Sequence, residues 1–137
     1  MRLLALFLVL LGLGVAAHAQ DAAFVVNKDT KVASLTAEDV RNILLGTQIR
    51  FDDGTVVRLV IQTGGAVHEA VVRNFTRRST DQFEKYWKKQ VFTGKGIMPV
   101  QCASDAEVLD YVAKTPGAIG YVAKTSVTPA VVEVDIR

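Results

Sequence analysis

The residues with the clearest chemical potential form a glycine turn between a strand and a helix. A strand predicted over residues 55–62 (TVVRLVIQ) runs into Thr63-Gly64-Gly65, and a helical pattern begins almost at once. The first N–H groups of a helix have no partner inside it, and the helix dipole adds partial positive charge there. Glycine lets an anion approach the backbone without meeting a Cβ atom. These features predict an oxyanion-binding cup formed by Thr63, Gly64, Gly65, Ala66 and Val67.

Two further residues lie near this cup in the sequence, His68 and Arg73. A different interpretation needs no ligand, because a tight strand-to-helix turn also requires glycine for its dihedral angles. Composition alone favours that interpretation, and both are kept.

The other reactive side chains form no catalytic or metal-binding pattern. His68 is the only histidine outside the N-terminal leader, and no His or Cys cluster has the spacing of metal ligands. Asp52 and Asp53 precede Gly54 and are more typical of a turn than of acid–base catalysis. Cys102, the only cysteine, cannot form an intramolecular disulfide and is expected to be a small buried residue. We expect no enzyme, no metal site and no cofactor.

The N-terminus predicts a cleavable secretory signal peptide over residues 1–19. Arg2 provides a positive start, residues 3–15 are apolar apart from two glycines, and Ala17-His18-Ala19 presents a cleavage motif. A membrane anchor is the other interpretation, but a spanning helix needs about 20 apolar residues. Cleavage is therefore expected between Ala19 and Gln20, which leaves a periplasmic or secreted domain over residues 20–137 without a stable membrane anchor.

The charge of the mature chain is nearly balanced. Loss of Arg2 from the 16 Lys and Arg residues leaves 15, against 14 Asp and Glu. No strong positive field is present to attract nucleic acid or an anionic membrane surface. The remaining length suits one domain with its own core.

Hydrophobic patterns predict alternating strands and helices. Besides the strand over 55–62, apolar runs predict strands at 22–27, 118–122 and 131–136. Thr36, Ser79 or Thr80, and Ser104 are predicted helix caps, the last within a Ser104–Glu107 capping box. Four helices follow, with these apolar faces: Val40, Ile43 and Leu44; Val67, Val71, Val72 and Phe75; Phe83, Tyr86, Trp87 and Val91; Val108, Leu109, Val112 and Ala113. The aromatic face is expected to point into the core rather than to stack on bases. The pattern predicts an α/β fold, a mixed sheet covered by helices.

Several segments resemble periplasmic phosphate-binding proteins, the substrate-binding components of phosphate ABC transporters. The likeness lies in residues 25–51 (VVNKDTKVASLTAEDVRNILLGTQIRF), in residues 94–99 with the VFTGKG stretch at 91–96, and above all in TPGAIGYV at 115–122. The match is best with short, single-lobe members. The resemblance implies one lobe of a type II periplasmic-binding-protein fold and a phosphate-type ligand.

The resemblance also bears on the glycine turn. In the transporter proteins a Ser-Gly-Thr turn helps to hold phosphate, and it aligns with Gly64-Gly65-Ala66, where both hydroxyl side chains are absent. Two hydrogen bonds to a charged acceptor, each worth roughly 1.5–3 kcal/mol, would be lost.

Two functions follow from these observations. The first is an exported solute-binding-like domain that binds phosphate or a related oxyanion weakly. The second is an interaction module that has kept the fold without the ligand, with an envelope protein or a second copy of the chain as its partner.

Overall fold

The computed structural model describes residues 21–137, so the predicted leader and its cleavage point lie outside the described residues. The strands are β1 (Ala22–Val26), β2 (Ser34–Leu35), β3 (Arg58–Gln62), β4 (Val100–Cys102), β5 (Ala118–Ala123) and β6 (Val132–Ile136). The helices are α1 (Ala37–Leu44), α2 (Ala66–Thr76), α3 (Thr80–Phe92) and α4 (Asp105–Lys114), with a short 3-10 helix at Lys124–Ser126. This element order confirms the predicted α/β class.

The strands form one mixed sheet in the order β2-β6-β1-β5-β3-β4. Strand β3 is parallel to both β4 and β5, whereas β1 is antiparallel to β5 and β6. The carboxyl ends of β3, β4 and β5 therefore share one edge of the sheet. We call this edge the carboxyl edge.

Helices cover both faces of the sheet. Successive strand residues point to opposite sides, so neighbours in one strand pack against different helices. In β1, Phe24 and Val26 pack with the helices α1, α2 and α3, while Val25 packs on the other face with Val108 and Val112 of α4. Gly120 of β5 lets α4 approach closely, since an added Cβ would lie 2.7 Å from a methyl group of Val108. That approach explains the glycine within AIGYV.

The predicted caps are present. Thr36 and Ser79 each form a capping box, with Asp39 and Gln82 respectively. At α4, the hydroxyl of Ser104 accepts the N–H of Glu107 as predicted, but the Glu107 carboxylate accepts the N–H of Ala103, one residue before the expected donor.

The aromatic face of α3 belongs to the core, as expected. Phe83 and Trp87 are buried, and the indole N–H of Trp87 donates to the carbonyl oxygen of Leu44 over 3.1 Å. Tyr86 donates to the neighbouring carbonyl of Leu45, so α3 satisfies carbonyl groups at the end of α1. Val91 departs from the prediction: it is 41% exposed, because the last turn of α3 lies beyond the core cluster that covers Trp87.

Three strand predictions are too long at one end, and the smallest difference is at 131–136, where β6 begins at Val132. Residues 55–57 precede β3, because its pairing with β5 begins at Arg58 opposite Ala118, and Val56 forms only an isolated bridge with Arg50. Asn27 follows β1 and instead holds the end of α4, where its amide donates to the carbonyl oxygens of Val112 and Ala113.

Candidate functional site

The glycine turn lies at the carboxyl edge, where β3 ends and α2 begins. Gly65 is the N-cap of α2 with φ 96° and ψ 168°, and no side chain caps the helix. A positive φ of this size is strained for residues with a side chain, which explains glycine at this position. Gly64, Gly65 and Ala66 are exposed, and no protein atom lies within 4 Å of a Cβ built on either glycine.

Four of the five predicted cup residues offer backbone donors. The first hydrogen bond of α2 joins the N–H of Glu69 to the carbonyl of Gly65. Within residues 21–137, no hydrogen bond engages the N–H groups of Gly64, Gly65, Ala66 or Val67. Thr63 differs, because its N–H donates to the carbonyl of Cys102 over 3.0 Å. The free N–H groups therefore belong to four of the five predicted cup residues, and Thr63 is the one that offers none.

His68 lies behind this row but faces the core. Its ring is buried, and Nδ1 is 2.6 Å from the phenol oxygen of Tyr121, which in turn accepts the N–H of Gln62 over 3.0 Å. Burial lowers the pKa of His68, although the nearby Glu69 carboxylate acts in the opposite direction. Burial also raises the pKa of Tyr121. A neutral His68 therefore adds no positive charge to the cup.

Arg73 is not part of the cup. It lies in the last turn of α2, about 12 Å from Gly65 at the helical rise of 1.5 Å per residue. There it lines a neighbouring cavity together with Glu69, Arg77 and Arg78.

A cavity of about 430 Å³ adjoins the glycine turn between the starts of α2 and α3. Its charged lining residues are Glu69, Asp81, Glu84 and Lys88. Lys88 pairs with Glu84, and Asp81 pairs with Lys85 outside the lining. Glu69 forms no ion pair within the described part of the chain. Its charge in the first turn of α2 opposes the binding of an anion.

A second polar cluster lies at the same edge, at the start of α4. One carboxylate oxygen of Asp105 accepts the side-chain amide of Gln62 over 2.8 Å. The other accepts the backbone N–H of Ala123 over 3.1 Å and the hydroxyl of Ser126 over 2.7 Å. All of these atoms satisfy one another, so the cluster joins β3, α4 and β5 and holds the carboxyl edge together.

The remaining reactive residues have structural surroundings. Cys102 is a free, buried thiol, as expected, and burial raises its pKa. Asp53 accepts the N–H of Thr55 over 2.9 Å, which stabilises the predicted turn and lowers the pKa of the carboxyl. Among residues 21–137, no three His, Cys, Asp or Glu side chains form a group that could hold a metal ion. Nor is any helix in that range long and apolar enough to cross a membrane.

Sequence reasoning missed the residues that support the cup. Tyr121, Asp105 and Gln62 form no local motif, although Gln62 ends a predicted strand and Asp105 begins a predicted helix. Those two positions indicate only that each side chain lies near the carboxyl edge, and they do not predict the bond between them.

Comparison with known proteins bears on the fold. No protein-family model matches this chain, and no curated protein matches its sequence. Among the solved structures that match this chain, three are each 15% identical to it in sequence. An ABC-type phosphate transport receptor from Vibrio cholerae matches with a TM-score of 0.60, over 84% of this chain and 45% of its own. A putative phosphate ABC transporter substrate-binding protein from Clostridium perfringens, solved with bound phosphate, matches with a TM-score of 0.67, over 84% and 44%.

The third structure, PstS from Borrelia burgdorferi, matches with a TM-score of 0.56 over 85% of this chain and 47% of its own. This chain thus spans less than half the length of each of these proteins. The chain therefore has the α/β fold of phosphate-transporter substrate-binding proteins, over a length that corresponds to a single lobe.

Proposed function

We propose that this protein is an exported, solute-binding-like domain that binds phosphate or a related oxyanion weakly at the start of α2. The observation that supports this function is the row of N–H groups from Gly64 to Val67, which no side chain caps and of which Gly64, Gly65 and Ala66 are exposed. It lies at the carboxyl edge, where open α/β sheets bind their ligands. The solved relatives of similar fold include a substrate-binding protein with bound phosphate.

The affinity is expected to be low for three reasons. The residues at positions 64 and 66 have no hydroxyl group, His68 is neutral, and the Glu69 carboxylate repels an anion. Backbone N–H groups and the helix dipole supply the attraction.

Thermal unfolding in millimolar phosphate, sulfate and chloride tests this function. An oxyanion at 100 times its dissociation constant stabilises the folded state by about 2.7 kcal/mol. Ala66→Pro is the informative variant, because proline is well tolerated at the first helical position yet removes one proposed donor. Thr80→Pro is its control, since it removes the equivalent N–H from α3.

We expect Ala66→Pro to weaken the stabilisation by phosphate and Thr80→Pro to leave it unchanged. Glu69→Gln should strengthen it, because the variant removes a negative charge from the first turn of α2. The double variant Gly64→Ser, Ala66→Thr should also strengthen it by supplying two hydroxyl groups. Stabilisation that is equal in Ala66→Pro and the parent protein would place the anion elsewhere.

The interaction module is the second candidate function, favoured by the unpaired Glu69 beside the turn. It predicts no stabilisation by any oxyanion, even in Glu69→Gln. The same melts therefore separate the two functions.

Export is part of the proposal and rests on the sequence of residues 1–19. Mass spectrometry of the protein recovered from the periplasm or medium should give an N-terminus at Gln20. Recovery of a cytoplasmic protein that retains residues 1–19 would contradict export.

A further inference from the structure

An apolar groove lies at the opposite edge of the sheet from the glycine turn. It has a volume of about 480 Å³ and lies beside Arg58 and Val100, the first residues of β3 and β4. We define the apolar groove by its floor at Trp87 and by its rim at Ile49, Val56 and Ile97.

The rim exposes large hydrophobic side chains to solvent. Ile97 is 90% exposed, Ile49 62% and Val56 48%. Six large hydrophobic residues are exposed within residues 21–137, and three of them line this groove. Exposed apolar side chains that cluster on a protein surface indicate an interaction site, whereas singly scattered ones are ordinary.

The charged residues of the groove have one sign. Arg58 and Lys95 line it, and no carboxylate does. Neither cation forms an ion pair within the part of the chain that the structure describes. The complementary occupant is therefore apolar and negatively charged.

We infer that the apolar groove docks a segment of a partner protein that presents apolar side chains next to carboxylates. The inference does not depend on oxyanion binding at the glycine turn. A small molecule within the groove would leave the outward-facing Ile97 uncovered, whereas a protein segment covers groove and rim together. Two copies joined symmetrically at this groove would bring like charges together. The leader, residues 1–19, contains no Asp or Glu and supplies no complementary charge.

Fluorescence anisotropy with three labelled helical peptides tests this inference. The Leu–Glu peptide has Leu at the i, i+3, i+4 and i+7 positions and Glu elsewhere. The Leu–Lys peptide replaces Glu with Lys, and the Ser–Glu peptide replaces Leu with Ser. We expect the Leu–Glu peptide to bind at least about tenfold more tightly than either of the others, because it alone matches both the surface and its charge.

Matched variants locate the binding. Ile97→Ser should weaken binding of the Leu–Glu peptide by about tenfold, because it removes the most exposed apolar side chain of the rim. Phe92→Ser is the control, since Phe92 is 92% exposed but does not line the groove. Lys95→Glu should remove the preference for Glu over Lys. Ile97 and Phe92 are both exposed, so replacing either with Ser removes no core contact.

Three results would overturn the inference. The first is equal binding of the Leu–Glu and Ser–Glu peptides. The second is equal loss of binding in Ile97→Ser and Phe92→Ser. The third is sedimentation showing a dimer that Ile97→Ser dissociates, which would make a second copy the occupant.

Discussion

The phenol oxygen of Tyr121 lies 2.6 Å from Nδ1 of the buried His68, within hydrogen-bond distance. The phenol oxygen already accepts the N–H of Gln62, and no other acceptor among the described residues takes the phenol proton. We therefore assign the phenol as the donor to Nδ1, which places the proton of the neutral His68 ring on Nε2. The two rings also stack, with centroids 6.0 Å apart and planes inclined by 14°. This pair links β5 to the first turn of α2, directly behind the row of free N–H groups.

Tyr121→Phe should destabilise the protein, because it leaves the N–H of Gln62 and Nδ1 of His68 without their buried partner. We expect a loss of about 1–3 kcal/mol in the free energy of unfolding, measured by urea denaturation near neutral pH. Tyr111→Phe is the control, since Tyr111 is half-buried and its hydroxyl makes no hydrogen bond within residues 21–137. Equal losses in the two variants would show that the phenol of Tyr121 is dispensable.

Stability should fall in mild acid because of His68. Burial lowers its pKa below the ordinary value of 6.5, so the unfolded chain takes up a proton before the folded protein does. The contribution of neutral His68 to the free energy of unfolding is fully present above pH 6.5. It is lost as the pH falls below that value, with a slope of at most about 1.4 kcal/mol per pH unit.

His68→Gln should remove this component, because glutamine does not titrate. The difference in unfolding free energy between parent and variant, measured by denaturation from about pH 7 to pH 5, cancels the carboxylates that both proteins share. A difference that stays constant over this range would contradict the assignment to His68.

Asp105→Ala should loosen the carboxyl edge. The substitution removes the acceptor for Gln62, Ala123 and Ser126, and we expect a loss of about 2–3 kcal/mol in denaturation experiments. Asp110→Ala on the same helix is the control, because it breaks only the exposed ion pair with Lys114, which contributes less than about 1 kcal/mol. Equal free energies of unfolding for Asp105→Ala and Asp110→Ala would contradict the role of Asp105 in holding the carboxyl edge.

Gly117→Ala should lower the free energy of unfolding for two reasons, a steric clash of the new Cβ atom and a positive φ that disfavours alanine. Its φ is +79°, and an added Cβ would lie 2.4 Å from the carbonyl oxygen of Val56. Gly54 has a φ of +86° with no atom within 4 Å of such a Cβ. Gly54→Ala should thus cost about 1–2 kcal/mol from conformation alone, and Gly117→Ala about 1–3 kcal/mol more. Similar melting temperatures for the two variants would contradict the close contact.

The fold class and the four helices were predictable from hydrophobic spacing, and capping residues marked the starts of α1, α3 and α4. Strands β2 and β4 could not be predicted in this way, because they have only two and three residues and are defined by distant pairing. Ser34 pairs with Asp135, and Val60 with Val100. No local pattern encodes such contacts.

The candidate site divides in the same manner. The start of α2 was predictable, because glycine and helical spacing are adjacent in the sequence. The support behind it was not, since the Tyr121–His68 bond joins residues 53 positions apart and the Gln62–Asp105 bond joins residues 43 apart. The engaged amide of Thr63 likewise depends on Cys102 in a neighbouring strand.

The antiparallel pairing of β1 with β6 has a consequence for how this domain can be connected to others. Phe24 lies opposite Val134, so the start of β1 and the end of β6 lie on adjacent strands, about 5 Å apart. Ala22 also lies opposite Ala123, which brings both ends to the carboxyl edge. A folded unit fused at either end would therefore emerge at the carboxyl edge, on the same side of the sheet as the glycine turn and two or three strands away from the end of β3.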